Sequence, residues 1–451
     1  MQRIEVKNFG PLKNITLDIK DYMVFIGPQA SGKSTLAKLI DFFLNTGEIL
    51  KTSIIANILV DRVIKKEKTA INLSKIFVNE IKEVFVESFP AYTYGNLRFI
   101  YSDKIHISIN VENVIKNIEP YISFNDKFYK NLESFDEKIS ANVSDLNFDS
   151  TTERNPFNFL WNIVQKELIE DLYNQLFYTA KSVKINFIPS GRTVISLFSN
   201  SITFIENNNL DHYNTDFIQF ANSLRKEMAS PTYEKLFGLS GRIDSGAKLI
   251  NAFSLANELS FKILKGDFCL SNTGDEIIHY EEEGRRVSVP LRHTSSGQQE
   301  ASWLINTIHF LLLKSSESTD TLYTTIVEEP EAHLFPEAQR DMTSLITLLA
   351  NQYNNRVIIT THSPYILAAL NNLVEAHLVG QKEGKKAATS EVINPFLWIN
   401  PENLYVGYLD NGGIENIIDT ESHLIKHEIL DGVSDDIMRK FDDLLEIQYD
   451  E

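Results

Sequence analysis

The chain has 451 residues, 43% of them hydrophobic, a length that predicts one large interrupted domain or two domains. It carries 43 Lys and Arg residues against 61 Asp and Glu residues, which gives a formal net charge of −18. This balance repels polyanions at long range and argues against a broad nucleic-acid-binding surface, although a local basic groove is compatible with it.

A single cysteine, Cys269, excludes an intramolecular disulfide and any cysteine-rich metal site, and it suits a reducing compartment. The first residues, MQRIEVKNFG, lack the basic and then apolar pattern of a signal peptide. The longest apolar runs, such as WLINTIHFLLL, are too short to span a bilayer. We therefore expect a soluble, cytoplasmic protein that does not act at a membrane.

The first 45 residues predict three strands, a glycine-rich loop and a helix. RIEVKNFG and ITLDI have strand character around a turn, YMVFIG predicts a buried strand, and the helix GKSTLAKLIDFFL begins at Gly32. Residues 46–181 show a mostly helical pattern without a repeat or a catalytic motif, so we interpret them as an insertion that contacts other copies or an effector. Strand character returns at Ser182 with SVKINFIPSGR.

The second half of the chain predicts a β-hairpin, DEIIHYEEEG to RRVSVPLRH, followed by alternating helices and strands. This alternation is typical of a parallel sheet with helices on its faces. The segment EAHLVGQKEGKKAATSEVIN then predicts another hairpin. We expect an α/β protein whose head combines residues 1–45 and 182–420. Residues 421–451 predict an acidic amphipathic helix with a solvated face, which we favour over a partner-docking tail.

The segment GPQASGKST fits the phosphate-loop pattern G-x-x-x-x-G-K-[ST] between a predicted strand and a predicted helix. In such a loop main-chain N–H groups wrap the phosphates, Lys33 adds a positive charge and Ser34 offers a hydroxyl to Mg²⁺. A chance match in a loop that binds no nucleotide is the alternative. The predicted nucleotide-binding residues are Gly27, Gln29, Ala30, Ser31, Gly32, Lys33, Ser34 and Thr35.

Two carboxylates end the apolar strand in YTTIVEEPEAHLFP, at the sheet edge where α/β folds bind phosphates. Glu328 stands where the usual Walker B pattern has an aspartate, and we predict that it orders Mg²⁺ together with Ser34. Glu329 is the predicted general base that orients and deprotonates the attacking water. The alternative is that EEPE is an ordinary acidic turn.

His362 ends the next apolar strand, in RVIITTHSP. An imidazole at this place can hydrogen-bond the γ-phosphate or the attacking water, so His362 completes a predicted catalytic set with Glu329 and Lys33. A structural histidine at the end of a strand is the alternative.

The segment LRHTSSGQQE precedes a long apolar helix and has the character of a second phosphate-binding helix start. Its candidate binding residues are Ser295, Gly297 and Gln298. On these residues alone, an ordinary serine N-cap is the simpler explanation.

The order of these four motifs resembles the ATP-binding-cassette superfamily, in particular its branch of SMC, Rad50, RecF and OLD ATPases. EEPEAHLFP and ITTHSPYIL are similar to the OLD-type ATPases of bacterial defence systems. The resemblance implies an ABC-type P-loop ATPase head with a mixed sheet that binds ATP and Mg²⁺ and forms a head-to-tail dimer or a higher homo-oligomer. TSSGQ has Thr294 and Ser296 where the family has the Leu and first Gly of L-S-G-G-Q. The resemblance implies that Ser295, Gly297 and Gln298 bind the partner's nucleotide in trans.

OLD proteins carry a Toprim nuclease after the ATPase, whereas this sequence shows no convincing Toprim or HNH constellation. The resemblance therefore implies an ATPase subunit of an anti-phage system, like AriA of PARIS or PtuA of Septu and retrons. Such a subunit controls a separate Toprim or HNH effector nuclease in response to a phage-encoded trigger. The alternative is a RecF- or Rad50-like DNA-maintenance ATPase that acts directly on DNA. A P-loop kinase or GTPase is disfavoured because the base-reading motif N-K-x-D is missing.

Two expected elements stay unassigned, the adenine contact and the glutamine of the Q-loop. The candidates Gln165, Gln175 and Gln219 all fall in predicted helices. Arg192, in the turn IPSGR, either approaches phosphate or stabilises a structural turn, and we favour the turn.

Overall fold

The described residues form a layered α/β fold in which helix α1 (Lys33–Ile58) lies between two β-sheets. Its buried side chain Phe43 belongs to one hydrophobic core together with Phe99 of the first sheet and Phe25 of the second. Helices from the second half of the chain form a separate core on the other face of the second sheet. The computed structural model describes residues 2–58, 72–92, 94–102, 105–114, 117–144, 176, 182–193, 211–228, 247–271, 274–317, 321–352, 354–426, 438–445 and 447–448.

The strands of the first sheet are β1 (Arg3–Phe9), β2 (Leu12–Asp18), β4 (Gly95–Ser102), β5 (Ile105–Val114) and β6 (Asn117–Phe124). They are antiparallel and lie in the order β2-β1-β4-β5-β6. The turn between β1 and β2 is tight because Gly10 adopts a φ of 55°. It places Phe9 opposite Leu12 and Arg3 opposite Asp18, whose side chains form an ion pair at 2.5 Å.

This sheet joins the predicted insertion to the predicted head. The sequence predicts residues 46–181 as a mostly helical segment apart from the head, but β4 pairs with β1, with Arg3 opposite Ile100. The helix α1 also runs through the predicted boundary at residue 45. A strand that pairs with a distant part of the chain carries no local sign of its partner, so the pairing was not foreseen. The helices described in this range are α2 (Leu73–Ser88) and α3 (Asp126–Ser144).

The strands of the second sheet are β3 (Tyr22–Ile26), β7 (Ser182–Ile188), β11 (Thr321–Glu328), β12 (Asn355–Thr361), β13 (Leu404–Asp410) and β14 (Gly413–Asn416). They lie in the order β14-β13-β3-β12-β11-β7, and all pairs are parallel except β13 with β14. This confirms the predicted α/β class with a mixed sheet. The strand β12 lies between β3, which leads into the phosphate loop, and β11, which ends at the two carboxylates.

A third, antiparallel sheet leads the chain to the helix that follows TSSGQ. It comprises β8 (Asp267–Leu270), β9 (Glu276–Glu282) and β10 (Arg285–Pro290). The predicted hairpin between β9 and β10 is confirmed, and its two turn residues, Glu283 and Gly284, have φ values of 50° and 73°. Positive φ at both turn residues matches the twist of a two-residue hairpin.

The helices of the second half are α4 (His212–Met228), α5 (Ala247–Leu264), α6 (Ser296–Glu317), α7 (Pro336–Asn351), α8 (Pro364–Gly380) and α9 (Lys386–Val392). The helix α6 is buried along most of its length, and Trp303 is fully enclosed. No helix in the described ranges combines the length and the apolar character that crossing a bilayer requires.

The second predicted hairpin is wrong. The segment EAHLVGQKEGKKAATSEVIN contains the end of α8 and all of α9 instead of two strands. Leu373 and Val374 continue the buried face of α8, and Gly380 lies so close to Trp398 that a Cβ there would come within 2.3 Å of the indole ring. KEGKK does form a turn, but this turn joins two helices instead of two strands, because the apolar face of α8 is buried.

The predicted C-terminal helix begins later than expected. Residues up to 426 form turns, with a bridge between Ile418 and Ile425, and residues 427–437 lie outside the described part. Residues 438–445 are helical, with Met438, Phe441 and Leu444 exposed.

The aromatic contact between α1 and β4 tests whether the two elements share a core. Phe99 is fully buried, and its ring centroid lies 5.2 Å from that of Phe43. We expect Phe99→Ala to lower the free energy of unfolding by about 3–5 kcal/mol, because it removes a buried ring that its surroundings cannot replace. Denaturant unfolding of the whole chain measures this loss. Tyr121→Ala, at a side chain of β6 that is 69% exposed, is the control, and an equal loss in both variants would contradict the shared core.

Candidate functional site

The phosphate loop connects the end of β3 to the first turn of α1. Gly27 and Gly32 adopt φ values of 157° and 99°, and Ala30 adopts 60° between them. A Cβ at Gly27 would lie 2.1 Å from the carbonyl oxygen of Leu409, and one at Gly32 would lie 2.5 Å from Cδ2 of Leu12. Because neither position has room for a side chain, the glycines determine the path of the loop.

Lys33 folds back over this loop. Its Nζ donates hydrogen bonds to the carbonyl oxygens of Gly27 at 2.9 Å and Pro28 at 2.8 Å. Burial lowers the pKa of the Lys33 ammonium group, and attraction to Glu329 and Glu331 opposes this shift. The ammonium group is therefore held at the loop by neutral acceptors, which an anionic phosphate can replace with a stronger charge-assisted contact.

The remaining loop residues divide into exposed and engaged side chains. Gln29, Ala30 and Ser34 are exposed, and Ser31 is half-buried. Thr35 is buried, and its hydroxyl lies 3.0 Å from the hydroxyl of Tyr92. The Thr35 hydroxyl is therefore already engaged, so we expect its main-chain N–H group to be the part that faces the predicted nucleotide.

Glu328 ends β11 and is 5% exposed. Its Oε2 accepts a hydrogen bond from the main-chain N–H of Ser190 at 3.4 Å, whereas its Oε1 is buried and has no hydrogen-bond partner among the described residues. A buried carboxylate oxygen without a partner is costly, and a divalent cation with oxygen ligands would satisfy it. With the exposed hydroxyl of Ser34, Glu328 fits the predicted Mg²⁺ site.

Glu329 and His362 lie side by side at the ends of neighbouring strands. Nε2 of His362 is 3.6 Å from Oε1 of Glu329, and their side chains are 38% and 40% exposed. The N–H of Glu329 donates to the carbonyl oxygen of Thr360 at 2.9 Å. Two predicted catalytic side chains are thus adjacent and accessible to water.

Glu331 is a site residue that the sequence analysis missed. Its Oε1 accepts hydrogen bonds from Thr361 Oγ1 at 2.8 Å and from the main-chain N–H of His362 at 2.6 Å. Burial raises the pKa of Glu331, and these hydrogen bonds lower it. The carboxylate ties the turn after β11 to the end of β12, which positions His362 beside Glu329. Three glutamates in EEPE were the available signal.

The start of α6 is a capping box. Ser295 precedes the helix, and its Oγ accepts a hydrogen bond from the N–H of Gln298 at 3.3 Å. The Gln298 side chain accepts in return from the N–H of Ser295 at 3.2 Å and donates to the carbonyl oxygen of Leu264 at 2.7 Å. The N-cap explanation is therefore correct for the chain by itself. Since Ser295 is exposed, the capped helix start faces solvent.

Gly297 marks a close approach between α6 and the turn after β11. A Cβ at this residue would lie 2.6 Å from the carbonyl oxygen of His333, which has a φ of 60°. A larger residue would therefore push the helix start away from the carboxylate turn. This contact explains a glycine in TSSGQ without reference to a nucleotide.

The structure joins the predicted catalytic residues but leaves the TSSGQ segment apart from them. Lys33 interacts electrostatically with Glu329, which lies beside His362. The contacts described for Ser295, Gly297 and Gln298 lie within their own turn or reach Leu264 and His333. They do not include the phosphate loop of the same chain.

Arg192 is a structural residue, as we favoured from the sequence. It is 2% exposed and forms an ion pair with Glu300 of α6, with Nε 3.2 Å from Oε2. Glu300 was missed, although a carboxylate among the apolar residues of a predicted buried helix was a signal. Of the Q-loop candidates, Gln165 and Gln175 lie outside the described residues and Gln219 is exposed on α4.

A sequence profile of the AAA ATPase domain family matches residues 1–367, a range that contains every predicted site residue. No curated protein matches the chain.

Several solved structures are similar in fold over most of the chain. An SMC head bound to the C-terminal winged-helix domain of ScpA is 11% identical, with a TM-score of 0.38 over 92% of this chain and 96% of the other. The SMC head domain from Thermotoga maritima is 10% identical, with a TM-score of 0.33 over 92% and 97% of the two chains. A dimeric bacterial ABC transporter cassette is 13% identical, with a TM-score of 0.29 over 91% and 96%. Scores this low establish no residue-by-residue correspondence.

The placement of Glu329 predicts a variant that binds ATP without turning it over. We expect Glu329→Gln to lower kcat by about 10²- to 10⁴-fold, because an amide cannot accept the proton of the attacking water. Its Kd for ATP should stay within about twofold, since Lys33 and the loop are unchanged. Steady-state hydrolysis and binding of a fluorescent ATP analogue measure the two quantities.

Lys33→Ala is the contrasting variant. It removes the charge that faces the phosphates, so its affinity for ATP should fall by about tenfold or more. Parental hydrolysis by Glu329→Gln would show that Glu329 is not the base.

Proposed function

This chain belongs to the AAA ATPase domain family, and we propose that it is the ATPase subunit of an anti-phage defence complex, in which a head-to-tail dimer controls a separate effector nuclease. It is an ATPase with a P-loop of the ABC and SMC type. The exposed start of α6 is the observation that supports the proposed dimer. This capped helix terminus meets no phosphate-binding group of its own chain in the described contacts.

Hydrolysis follows from the side chains at the sheet edge. Lys33 neutralises phosphate charge that develops as the terminal phosphoryl group leaves, and Glu329 accepts the proton of the attacking water. His362, whose Nε2 lies 3.6 Å from Oε1 of Glu329, orients Glu329 or the water, and Glu331 holds the main chain of His362 in place. A Mg²⁺ ion held by Ser34 and Glu328 would supply charge neutralisation between the phosphates.

In the proposed dimer, the partner subunit supplies the groups that contact the γ-phosphate on the side facing away from the phosphate loop. The first main-chain N–H groups of a helix and the positive end of its dipole favour an anion, and α6 presents both at its exposed start. Ser295 and Ser296 are both exposed there. In a head-to-tail dimer this helix start binds the γ-phosphate held by the partner's loop, and Ser295, Gly297 and Gln298 contribute in trans.

The defence role rests on the likeness of EEPEAHLFP and ITTHSPYIL to the ATPases of bacterial defence systems. The net charge of −18 supports a protein partner over a direct, broad grip on DNA. In this function ATP sets the assembly of the dimer, and a phage-encoded trigger changes the activity or release of a Toprim or HNH nuclease.

The shared site makes hydrolysis sensitive to Ser295. We expect Ser295→Arg to bind ATP within about twofold of the parental affinity but to lose at least about 90% of hydrolysis, because a bulky side chain blocks the partner's phosphate. Ser295→Asp retains an N-cap and should lose hydrolysis as well, because its carboxylate repels the phosphate. Ser223→Arg, at an exposed serine of α4, is the control. Normal hydrolysis by Ser295→Arg would refute the shared site.

The effector partnership is tested by purifying the tagged chain from cells that also express the neighbouring genes. We expect a nuclease to copurify at a fixed stoichiometry, and Glu329→Gln to change its release because the ATP-bound dimer persists. Absence of any nuclease, with DNA binding that weakens as salt rises and hydrolysis that DNA stimulates, would instead favour a DNA-maintenance ATPase.

A further inference from the structure

A buried arginine connects the turn after β7 to the two carboxylates at the end of β11. Arg192 Nη1 donates hydrogen bonds to the carbonyl oxygens of Pro189 at 3.0 Å and Glu328 at 2.8 Å. Its Nη2 donates to the carbonyl oxygen of Glu329 at 3.1 Å. Its Nε donates to the carbonyl oxygen of Glu300 at 3.4 Å, so one planar guanidinium group contacts four main-chain oxygens, a geometry that suits the rigid fork of arginine.

These contacts determine the orientation of Glu329. The carbonyl oxygens of Glu328 and Glu329 belong to the two peptide groups on either side of the Glu329 Cα atom, and Arg192 binds both. Glu329 has a φ of 43°, a conformation that residues with side chains adopt only when their surroundings hold it. Arg192 is therefore part of what aims the general base at the site.

The same arginine is attached to α6 through Glu300. Glu300 Oε2 lies 3.2 Å from Arg192 Nε and accepts a hydrogen bond from the Arg192 main chain at 2.9 Å. Glu300 Oε1 accepts from the main-chain N–H of Thr193 at 3.2 Å. Glu300 is 2% exposed and lies in the second turn of the helix that begins directly after Ser295. A continuous path of contacts therefore runs from the start of α6 to the peptide groups of Glu329.

The charge of Arg192 is buried and is balanced by nearby carboxylates. Burial lowers the pKa of Arg192, and attraction to Glu300, Glu331, Glu328 and Glu329 opposes the shift. A buried charge left without its partner is strongly unfavourable, so separating Arg192 from Glu300 is costly.

We propose that Arg192 is a positioning residue that couples the start of α6, where the partner's nucleotide binds, to the orientation of Glu329 through Glu300. The inference rests on the shared site proposed above. A displacement of α6 by the partner's phosphate reaches the peptide groups of Glu329 through this pair. Hydrolysis in each of the two sites then depends on the occupation of the other.

The test replaces Arg192 by lysine, which keeps a positive charge at this buried position but removes the planar guanidinium group. Arg192→Lys can pair with Glu300 or bind a carbonyl oxygen, but its single nitrogen cannot reproduce all these contacts. We expect its Kd for ATP to stay within about twofold and its ATP-dependent dimer to form in sedimentation, while kcat falls at least about tenfold. Glu300→Gln should show the same split, and the double variant should be little worse than either single variant because both break one path.

Arg225→Lys is the matched control. Arg225 of α4 forms another Arg–Glu pair, with Glu276 at 2.8 Å, and its guanidinium carbon lies 4.6 Å from the ring centroid of Trp303 on α6. Among its described hydrogen bonds are those to Glu276 and Asn222. A similar change in thermal stability is expected in Arg225→Lys and Arg192→Lys, with loss of kcat only in the latter.

Two results would overturn the inference. One is parental kcat in Arg192→Lys, and the other is a loss of kcat that only parallels the loss of stability in both lysine variants. Ser295→Arg separates this failure from that of the proposed function. If Ser295→Arg abolishes hydrolysis while Arg192→Lys retains it, the shared site stands and the coupling is wrong. If Ser295→Arg hydrolyses normally, the shared site and the coupling both fail.

Discussion

Parallel pairing of β3, β12 and β11 is the constraint on which the site depends. In the parallel register Ile26 lies opposite Thr361, and Thr360 lies opposite Glu328. The residues that follow these strand ends are the loop beginning at Gly27, then His362, and then Glu329. Because parallel strands end at one edge, three segments far apart in the chain deliver a phosphate loop, an imidazole and a carboxylate to one place. Packing on both faces of the sheet keeps these ends aligned.

The backbone leaves regular geometry at points where neighbours hold it. Ala30, Glu329 and His333 have φ values of 60°, 43° and 60°. Glu329 is held by the guanidinium group of Arg192 and by the carbonyl oxygen of Thr360, whereas His333 is pressed against Gly297. A strained backbone conformation of this kind persists only where several neighbouring contacts hold it in place. At Glu329 it orients the side chain that we propose as the general base.

Two buried cations serve opposite purposes in an acidic chain. Lys33 is bound by the neutral carbonyl oxygens of Gly27 and Pro28, so its charge is available to an incoming phosphate. Arg192 is paired with Glu300 and hydrogen-bonded to main-chain carbonyl oxygens, so its charge stabilises the fold around the carboxylate turn. The difference follows from the side chains, because an ammonium group is a flexible point charge and a guanidinium group is a rigid planar fork.

The sequence by itself determined the parts of this protein whose signals are local. Four features lie within short segments whose own residues predict the local backbone conformation. They are the phosphate loop, the carboxylates at the end of β11, His362 after β12 and the Ser295–Gln298 spacing of a capping box. Only the tertiary structure decided that β4 completes the sheet of β1, that α8 and α9 form where a hairpin is predicted, and that Arg192 and Glu300 join α6 to Glu329. These features depend on strand pairing and burial between segments that are distant in the sequence. No local pattern encodes them, because the fold supplies the partner of each strand edge and each buried charge.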